Sequence, residues 1–258
     1  MKLTFYKYQG TGNDFVIIDN RSGDVVLTTA QVKNICDRRF GIGGDGLMLL
    51  NTNPSYDFEM KYFNSDGREG SMCGNGGRCL VKFAYDKGIR KDSYRFIASD
   101  GEHEAEIEDG WVNLKMQDVK GIRFDSGDAI LNTGSPHYIK QVGDVMNTDV
   151  YKEGRAIRYS RQFEKEGINV NFVDVCDDDC IRVRTYERGV EDETYSCGTG
   201  VTAAALVFAH NERGFNRKEI ETKGGKLAVE FDKTGEESFN NIWLCGPAEF
   251  VFTGEIEV

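Results

Sequence analysis

The stretch CGNGGRCLVKFA (residues 73–84) has a counterpart about 124 residues later, CGTGVTAAALVFA (197–209). Both stretches begin with Cys-Gly-x-Gly and continue into a run that favours a helix. The first run predicts a helix over Asn75–Lys87 and the second a helix over Thr199–Arg213, because each is followed by a glycine of the kind that ends helices. The second run is apolar almost all round, which predicts a helix buried on every side.

The repetition extends beyond these two motifs. Three further pairs of segments match in the same order: DFEMKYFNSDG (57–67) with CIRVRTYERG (180–189), GTGND (10–14) with NTGSPH (132–137), and SDGEHEAEIEDGWVNL (99–114) with KGGKLAVEFD (223–232) followed by NIWL (241–244). Four matches at a nearly constant offset indicate a duplication.

A duplicated chain should fold as two similar halves. Most of the remaining short segments are rich in aromatic and β-branched residues and are bounded by Gly, Asn or Asp, which is typical of strands. We therefore expect an α/β (α+β) fold in which each half is a sheet around one central helix. The expected halves are residues 1–118 together with 247–258, and residues 119–246, so that the last strand returns to the first half.

The composition narrows the classes of function. The 258 residues include 32 Lys and Arg against 43 Asp and Glu, and the net charge of −11 disfavours binding to a nucleic-acid backbone. No apolar run reaches the roughly 18 residues of a membrane span, and the first residues lack the apolar core of a secretory signal. We expect a cytoplasmic protein without nucleic-acid or membrane partners. The odd number of cysteines, seven, argues against a disulfide framework.

Cys73 and Cys197 each precede a predicted helix. The unpaired N–H groups and the dipole of a helix start favour a thiolate, so both thiols should have a pKa below the usual value of about 8.5. The glycines that follow let a substrate carboxylate approach backbone N–H groups. If the two halves bring both helix starts together, one thiolate removes a carbon-bound proton and the other thiol reprotonates the opposite face. This chemistry inverts a stereocentre without a cofactor or a metal.

Several strings of this sequence resemble diaminopimelate epimerase, from near the first residue to the last. They are GTGNDFVIID (10–19), RRFGIGGDG (38–46), FNSDGREGSMCGNGGRC (63–79), GSPH (134–137), INVNFV (168–173), YERGVEDETYSCGTG (186–200) and GPAEFVFTGEI (246–256). The resemblance implies a cofactor-independent epimerase that interconverts LL- and meso-2,6-diaminopimelate for lysine and peptidoglycan precursor synthesis. It also implies two similar domains, each a strongly curved, mostly antiparallel sheet around a central helix.

The resemblance also assigns roles position by position. It makes Cys73 and Cys197 the two acid/base residues, with His137 and Glu187 nearby to set their protonation. The substrate ligands that it implies are Asn13, Asn64, Gly74, Asn75, Asn169, Glu187, Arg188, Gly198 and Thr199. Among these, Asn64, Asn169 and Arg188 should bind the distal end of the substrate, since an Arg offers a bidentate fork to a carboxylate. The reacting carboxylate should lie across the two helix starts.

Three positions depart from the family pattern. Ser135 stands where many relatives carry Asn, Gly46 where some carry Gln, and Thr199 where others carry Ser. These positions bear on substrate contacts and not on the cysteine pair.

Other interpretations stay open from the residues alone. A proline or hydroxyproline racemase-like enzyme uses the same pair of cysteines, but its imino-acid substrate has no distal carboxylate for Arg188. A non-catalytic amino-acid-binding module or a thiol-redox module would also contain such motifs. Cys176 and Cys180 flank an acidic turn, and two incidental thiols are favoured there over a metal site because no further Cys/His pair has matching spacing. A homodimer is expected as the commonest soluble assembly.

Overall fold

The computed structural model describes residues 1–210 and 212–258 of the chain. The chain folds into two compact units. Unit 1 consists of Met1–Leu114 and Gly246–Val258, and unit 2 consists of Lys115–Cys245. Among the described residues, no helix is long and apolar enough to cross a membrane.

Unit 1 carries the first part of the chain and its last strand. Its elements are β1 (Lys2–Gly10), β2 (Asn13–Asp19), α1 (Thr29–Cys36), β3 (Gly46–Asn51), β4 (Phe58–Asn64), α2 (Gly74–Asp86), β5 (Ser93–Ala98), β6 (Gly101–Glu108), β7 (Trp111–Lys115) and β18 (Glu249–Glu257). The strands pair in the spatial order β18-β1-β2-β3-β4-β5-β6-β7. The pairs β2–β3 and β4–β5 are parallel, and the other pairs are antiparallel.

Unit 2 carries the middle of the chain. Its elements are β8 (Val119–Lys120), β9 (Arg123–Asp125), β10 (Asp128–Asn132), β11 (Pro136–Gln141), α3 (Val150–Arg158), β12 (Asn169–Asp177), β13 (Cys180–Glu187), β14 (Asp192–Thr194), α4 (Gly198–Val207), β15 (Gly214–Thr222), β16 (Gly225–Gly235) and β17 (Ser238–Gly246). The strands pair in the order β9-β10-β11-β12-β13-β15-β16-β17-β8, with β14 beside the end of β13. The parallel pairs are β11–β12 and β13–β15.

The two units repeat one order of elements. In each unit the first helix, α1 or α3, joins the strands of one parallel pair, as a parallel connection requires a crossover. The second helix, α2 or α4, joins the strands of the other parallel pair and packs against strands of its own sheet. The expected α/β (α+β) class, with mostly antiparallel sheets around a central helix, is confirmed.

Local sequence explains how α1 and β2 begin. Thr28 Oγ1 accepts a hydrogen bond from the Gln31 N–H at 3.3 Å, and Gln31 Oε1 accepts one from the Thr28 N–H at 2.9 Å, which is a capping box. Thr11 and Gly12 both have positive φ, 50° and 83°, as in the two-residue turns of tight hairpins. This turn delivers Asn13 to the first position of β2.

The helices differ from the sequence-based expectation at two places. The helix expected to run to Arg213 ends at Val207, and the His210 N–H donates instead to Asn216 Oδ1 at 3.0 Å. Residue 211, which falls in the expected helix, lies outside the described residues. Helix α3 was not expected, because Gly154 interrupts its pattern. That glycine allows a close approach, since a Cβ there would lie 2.4 Å from Tyr186 Cβ.

Candidate active site

In unit 1, the cysteine of the first motif lies at the start of α2. Cys73 is the N-cap residue, with an extended backbone (φ −99°, ψ 132°), and the helix begins at Gly74. The first N–H groups of a helix have no partner within the helix itself, and they lie at the positive end of the helix dipole. Ser, Thr, Asp or Asn usually occupies this position. A cysteine here brings its sulfur to a site that favours negative charge.

Asn13 contacts the Cys73 thiol. Its Oδ1 lies 3.7 Å from Cys73 Sγ and 3.3 Å from Asn75 Nδ2. The orientation of the amide is fixed from its other side, because Asn13 Nδ2 donates to Asp45 Oδ2 at 2.5 Å and an ionised carboxylate can only accept. Asn13 therefore presents an acceptor to the sulfur. An acceptor suits a protonated thiol, which can donate to it.

Asp45 belongs to a cluster of charged side chains that also contains Lys7, Asp14 and Arg38. Arg38 Nη2 lies 2.7 Å from Asp45 Oδ1 and 2.6 Å from Asp14 Oδ1, and Lys7 Nζ lies 2.6 Å from Asp14 Oδ2. Burial favours the neutral form of Asp14, but hydrogen bonds from Arg38 and Lys7 outweigh it and lower the pKa of Asp14 to about 2. Through Arg38, the cluster holds the Asp45 carboxylate that orients Asn13.

Asn64 ends β4, where it pairs with Gly46 of β3. A Cβ on Gly46 would lie 2.5 Å from the Tyr62 ring, so glycine is required where these strands pack. The Asn64 side-chain nitrogen lies beside Gly70, 2.8 Å from where a Cβ would be.

In unit 2, the cysteine of the second motif occupies the equivalent position. Cys197 is the N-cap of α4 (φ −116°, ψ 112°), is 8% exposed, and is followed by Gly198 as the first helical residue. Its Sγ lies 3.6 Å from Thr199 Oγ1, and that oxygen lies 2.9 Å from His137 Nε2. The expectation that position 199 does not bear on the cysteine pair is therefore wrong, because its hydroxyl contacts one of the two sulfurs. Ser135 Oγ is also close to the imidazole, at 3.0 Å from Nε2.

Asn171 fixes the tautomer of His137. Asn171 Nδ2 lies 3.2 Å from the Tyr138 carbonyl oxygen, which can only accept, and its Oδ1 accepts from Thr185 Oγ1 at 2.9 Å. The same Nδ2 lies 3.1 Å from His137 Nδ1. His137 Nδ1 is therefore the acceptor, and the ring proton is on Nε2.

The tautomer determines which way the Thr199 hydroxyl points. When His137 Nε2–H donates to Thr199 Oγ1, the Thr199 hydroxyl proton has two acceptors within reach, Cys197 Sγ at 3.6 Å and Ser135 Oγ at 3.4 Å. A donor suits a thiolate. The two cysteines therefore have different partners, since Cys73 contacts an acceptor of Asn13 and Cys197 contacts a Thr199 hydroxyl that can donate to it.

His137 is neutral throughout the physiological range. It is fully buried, and burial, together with the nearby charge of Arg188, lowers the pKa of His137 to about 3. An imidazole in this state donates through Nε2 and accepts through Nδ1. It orients neighbouring hydroxyl groups without taking up a proton.

Asn169 joins Ser135 to the segment that carries Arg188. Asn169 Nδ2 donates to Ser135 Oγ at 2.9 Å and to the Pro136 carbonyl at 3.0 Å, and Asn169 Oδ1 accepts from the Arg188 N–H at 2.9 Å. The Arg188 guanidinium donates through Nη1 to the Glu166 carbonyl at 3.0 Å. Contacts within unit 2 thus connect five of the residues that the sequence singled out: Ser135, His137, Asn169, Arg188 and Thr199.

Glu187 ends β13, where it lies on the strand beside Asn169. Its Oε2 accepts a hydrogen bond from Thr194 Oγ1 at 2.9 Å, which holds the carboxylate in place. Arg188 follows Glu187 directly, so one strand end supplies both a carboxylate and a guanidinium.

The same strand register positions the groups around the cysteine of each unit. In unit 1, Phe15 of β2 pairs with Gly46 and Gly46 with Asn64. In unit 2, His137 of β11 pairs with Asn169 in the same parallel arrangement, and Asn169 lies next to Glu187 on the neighbouring strand. The buried phenylalanine of unit 1 thus corresponds to the buried histidine of unit 2. The half-sites share a backbone but differ in the groups around their cysteines.

Asn171 was missed in the sequence analysis. The signal was the alternation in INVN (168–171), because residues two apart on a strand point to the same face. Asn169 and Asn171 therefore share one face, and both bond to the chain near His137. Asn171 also packs tightly under the motif, since a Cβ on Gly200 would lie 2.4 Å from its Oδ1.

The remaining buried cysteines have a different environment. Burial raises the pKa of Cys36 to about 11 and the pKa of Cys79 to about 12, so both stay protonated at neutral pH. Within residues 1–210 and 212–258, no group of three or more His, Cys, Asp or Glu side chains is arranged to hold a metal ion.

We predict that His137→Gln flattens the dependence of stability on acid pH. The folded-state pKa of about 3 lies below the unfolded value of about 6.5, so between these values the unfolded chain binds a proton that the folded chain does not. The neutral His137 side chain therefore contributes its full stabilisation above pH ~6.5. As the pH falls below that value, the free energy of unfolding decreases by up to about 1.4 kcal/mol per pH unit. Urea unfolding of both proteins from pH 4 to 8 measures this, and parallel curves would contradict the assignment.

Known proteins similar to this chain match it over nearly its whole length. A diaminopimelate epimerase of Flavobacterium psychrophilum is 50% identical over 255 residues, which cover 98% of each chain. A diaminopimelate epimerase of Chlorobaculum tepidum is 44% identical and covers 96% of this chain and 98% of its own.

A solved structure shares the fold of this chain, and a family profile matches both of its repeats. A Bacillus anthracis phenazine biosynthesis protein of the PhzF family has the same fold, with a TM-score of 0.81 at 14% identity over the whole of both chains. The family profile described as "Diaminopimelate epimerase" matches residues 5–128 and again residues 129–251, so one profile accounts for both repeats. The chain belongs to the diaminopimelate epimerase family.

Proposed function

We propose that the protein interconverts LL- and meso-2,6-diaminopimelate, with Cys73 and Cys197 as its two acid/base groups. One observation carries the proposal: two units with the same order of elements each contain a cysteine at the N-cap of their second helix. Two sulfurs are what a two-base inversion of one carbon requires. No cofactor enters the proposed reaction.

The proposed reaction uses the sulfurs in turn. One thiolate takes the α-proton, the electron pair left on carbon delocalises into the adjacent carboxylate, and the other thiol delivers a proton to the opposite face. The N–H groups of Gly74, Asn75, Gly198 and Thr199 lie at helix starts and would stabilise the charge that develops on this carboxylate.

The hydrogen bonds support an assignment of the resting state. Asn13 offers an acceptor to Cys73, and Thr199 offers a donor to Cys197. We infer that Cys197 is the thiolate and Cys73 the thiol in the free enzyme. The substrate isomer whose α-proton points to Cys197 can then react at once. The other isomer reacts with the opposite protonation state of the pair.

The distal end of the substrate would meet Asn64, Asn169 and Arg188. Arg188 is exposed and provides the cation that a distal carboxylate needs in a protein of net charge −11. Glu187 would pair with an ammonium group, and the amide groups of Asn64 and Asn169 can satisfy either charge. Ser135 is already bonded to Asn169, which supports a role for it in this region.

The cellular setting is part of the proposal. An enzyme that supplies lysine and peptidoglycan precursors works in the cytoplasm, on a small molecule and not on nucleic acid. We also propose that the two repeats are domains with the boundaries 1–118 with 247–258, and 119–246.

We further propose a homodimer. Phe250, Val251 and Phe252 are exposed by 51%, 52% and 45% on β18, an edge strand of unit 1, and exposed apolar side chains on an edge strand favour pairing with another chain. Sedimentation equilibrium tests this, and the monomer mass at micromolar concentration would contradict it.

Replacing either proposed base should abolish turnover. We predict that Cys73→Ala and Cys197→Ala each lower kcat for diaminopimelate by roughly 10²–10⁴-fold or more, because each removes one proton-transfer step. In D₂O, the wild-type product should carry solvent deuterium at the inverted α-carbon. Calorimetry with meso-diaminopimelate should show that both variants still bind it.

Cys176→Ser serves as the matched control, because it removes an exposed thiol that the proposed reaction does not use. Its kcat should equal that of the wild type. A kcat close to that of the wild type in Cys73→Ala or Cys197→Ala would refute the two-base reaction. Activity on proline but not on diaminopimelate would favour a racemase of imino acids instead.

The Thr199 hydroxyl should hold the charge on Cys197. We predict that Thr199→Val lowers kcat by about 10–100-fold and shifts the acid limb of the kcat–pH profile to higher pH, since the thiolate loses a donor. Thr199→Ser keeps the hydroxyl and should behave like the wild type.

Alkylation gives an independent measurement. Iodoacetamide reacts with thiolates, so in the wild type it should modify Cys197 before Cys73, although Cys197 is the more buried of the two. Thr199→Val should lose this preference, and Thr199→Ser should keep it. Faster modification of Cys73 in the wild type would reverse the assignment.

A further inference from the structure

A pair of thiols lies at the tip of the β12–β13 hairpin. Cys176 Sγ and Cys180 Sγ are 2.7 Å apart, well inside the ~3.5–4.0 Å at which nonbonded heavy atoms are most stable. Cys176 falls at an irregularity in the strand pairing, where Val175 pairs with Ile181 and Asp177 pairs with Cys180. The irregularity leaves Cys176 without a partner in the ladder and turns its side chain toward Cys180.

The two sulfurs are accessible and chemically unequal. Cys176 is exposed, and Cys180 is half-buried. Burial, with the hydrogen bond to Cys176 and nearby carboxylates, raises the pKa of Cys180 to about 12, so Cys180 keeps its proton and donates it to Cys176. Cys176 is the more exposed sulfur and accepts the hydrogen bond of the Cys180 thiol. Cys176 is therefore the sulfur that a peroxide reaches first.

We propose that Cys176 and Cys180 form a peroxide-reactive dithiol that closes to a disulfide across the hairpin tip. The Cys176 thiolate attacks a hydroperoxide oxygen, the O–O bond breaks, and Cys176 becomes a sulfenic acid while the alcohol or water leaves. The Cys180 sulfur then attacks Cys176 Sγ, the S–O bond breaks, and the Cys180 proton leaves with the hydroxyl as water. Two thiols and one hydroperoxide give one disulfide, one alcohol (or water) and one water.

The charge around the pair selects the kind of oxidant. Asp177, Asp178 and Asp179 lie between the two cysteines, and Glu221 acts on Cys180 from the neighbouring strand. These carboxylates repel anionic disulfides such as oxidised glutathione but do not repel neutral hydrogen peroxide. The site therefore favours a small, uncharged peroxide.

The position of the dithiol gives the disulfide a structural effect. Toward their opposite end, strands β12 and β13 carry Asn171, which contacts His137, and Thr185, which donates to Asn171. A disulfide needs a sulfur separation of about 2.05 Å, so only a small movement of the tip closes it. Formation of the disulfide would restrict movement of the hairpin tip. It would leave the side chains near Cys197, at the other end of the strands, in place.

Mass spectrometry tests the proposal directly. The reduced full-length protein is treated with one equivalent of hydrogen peroxide, quenched with iodoacetamide and digested with trypsin. Peptide 166–182 contains Cys176 and Cys180 as its only cysteines. We expect this peptide to lose the mass of two hydrogens at least about tenfold faster than Cys36, Cys79 or Cys245 is oxidised, and dithiothreitol to reverse the change. Oxidised glutathione at the same concentration should react more slowly.

Single variants assign the two steps. In Cys180→Ser, dimedone should trap a sulfenic acid on Cys176, whereas Cys176→Ser should give no adduct on Cys180. Both variants should keep wild-type epimerase activity before oxidation, so the result does not depend on the proposed function. Oxidation of Cys36, Cys79 or Cys245 before this peptide, or an adduct on Cys180 in Cys176→Ser, would overturn the proposal.

Discussion

This protein depends on how the unpaired N–H groups at the starts of α2 and α4 are used. An α-helix leaves its first N–H groups unpaired, and a protein must supply them with a partner or use them. Here each unit ends a turn with a cysteine at the N-cap and follows it with glycine, so the N–H groups can serve a ligand instead of a side-chain cap. The curved sheets, the parallel crossovers and the burial of α2 and α4 keep these helix starts in fixed positions.

Duplication has given two similar scaffolds with different chemistry. Register aligns Phe15 with His137 and Gly46 with Asn169, so one half-site has an apolar ring where the other has an imidazole. The His137 side chain does not titrate near neutral pH, and its value lies in fixing the direction of hydrogen bonds. A shared backbone can therefore present an acceptor to one sulfur and a donor to the other.

Sequence was a good guide where a signal was local. The Cys-Gly-x-Gly motif and the glycine after the last turn predicted α2 to within one residue at each end. The signal failed for α3, because Gly154 lowers helix propensity and its reason is a tertiary contact with Tyr186. Similarly, the polar tail of the second motif resembles a helix, but the side chain of Asn216 takes the His210 N–H. The direction of the hydrogen bonds around His137 depends on the Tyr138 carbonyl, which a sequence alone does not reveal.

The contact between Gly200 and Asn171 bears on how the two repeats could diverge. A methyl group on Gly200 would overlap the amide that sets the histidine tautomer, whereas the nearest atom to a methyl group on Gly76 would be Met48 Sδ at 3.3 Å. With that amide in place, glycine is required at position 200, so the residues at positions 171 and 200 depend on each other. A protein designed to contain the helix start around Gly200 would therefore also need the matching residue, Asn171, on the neighbouring strand.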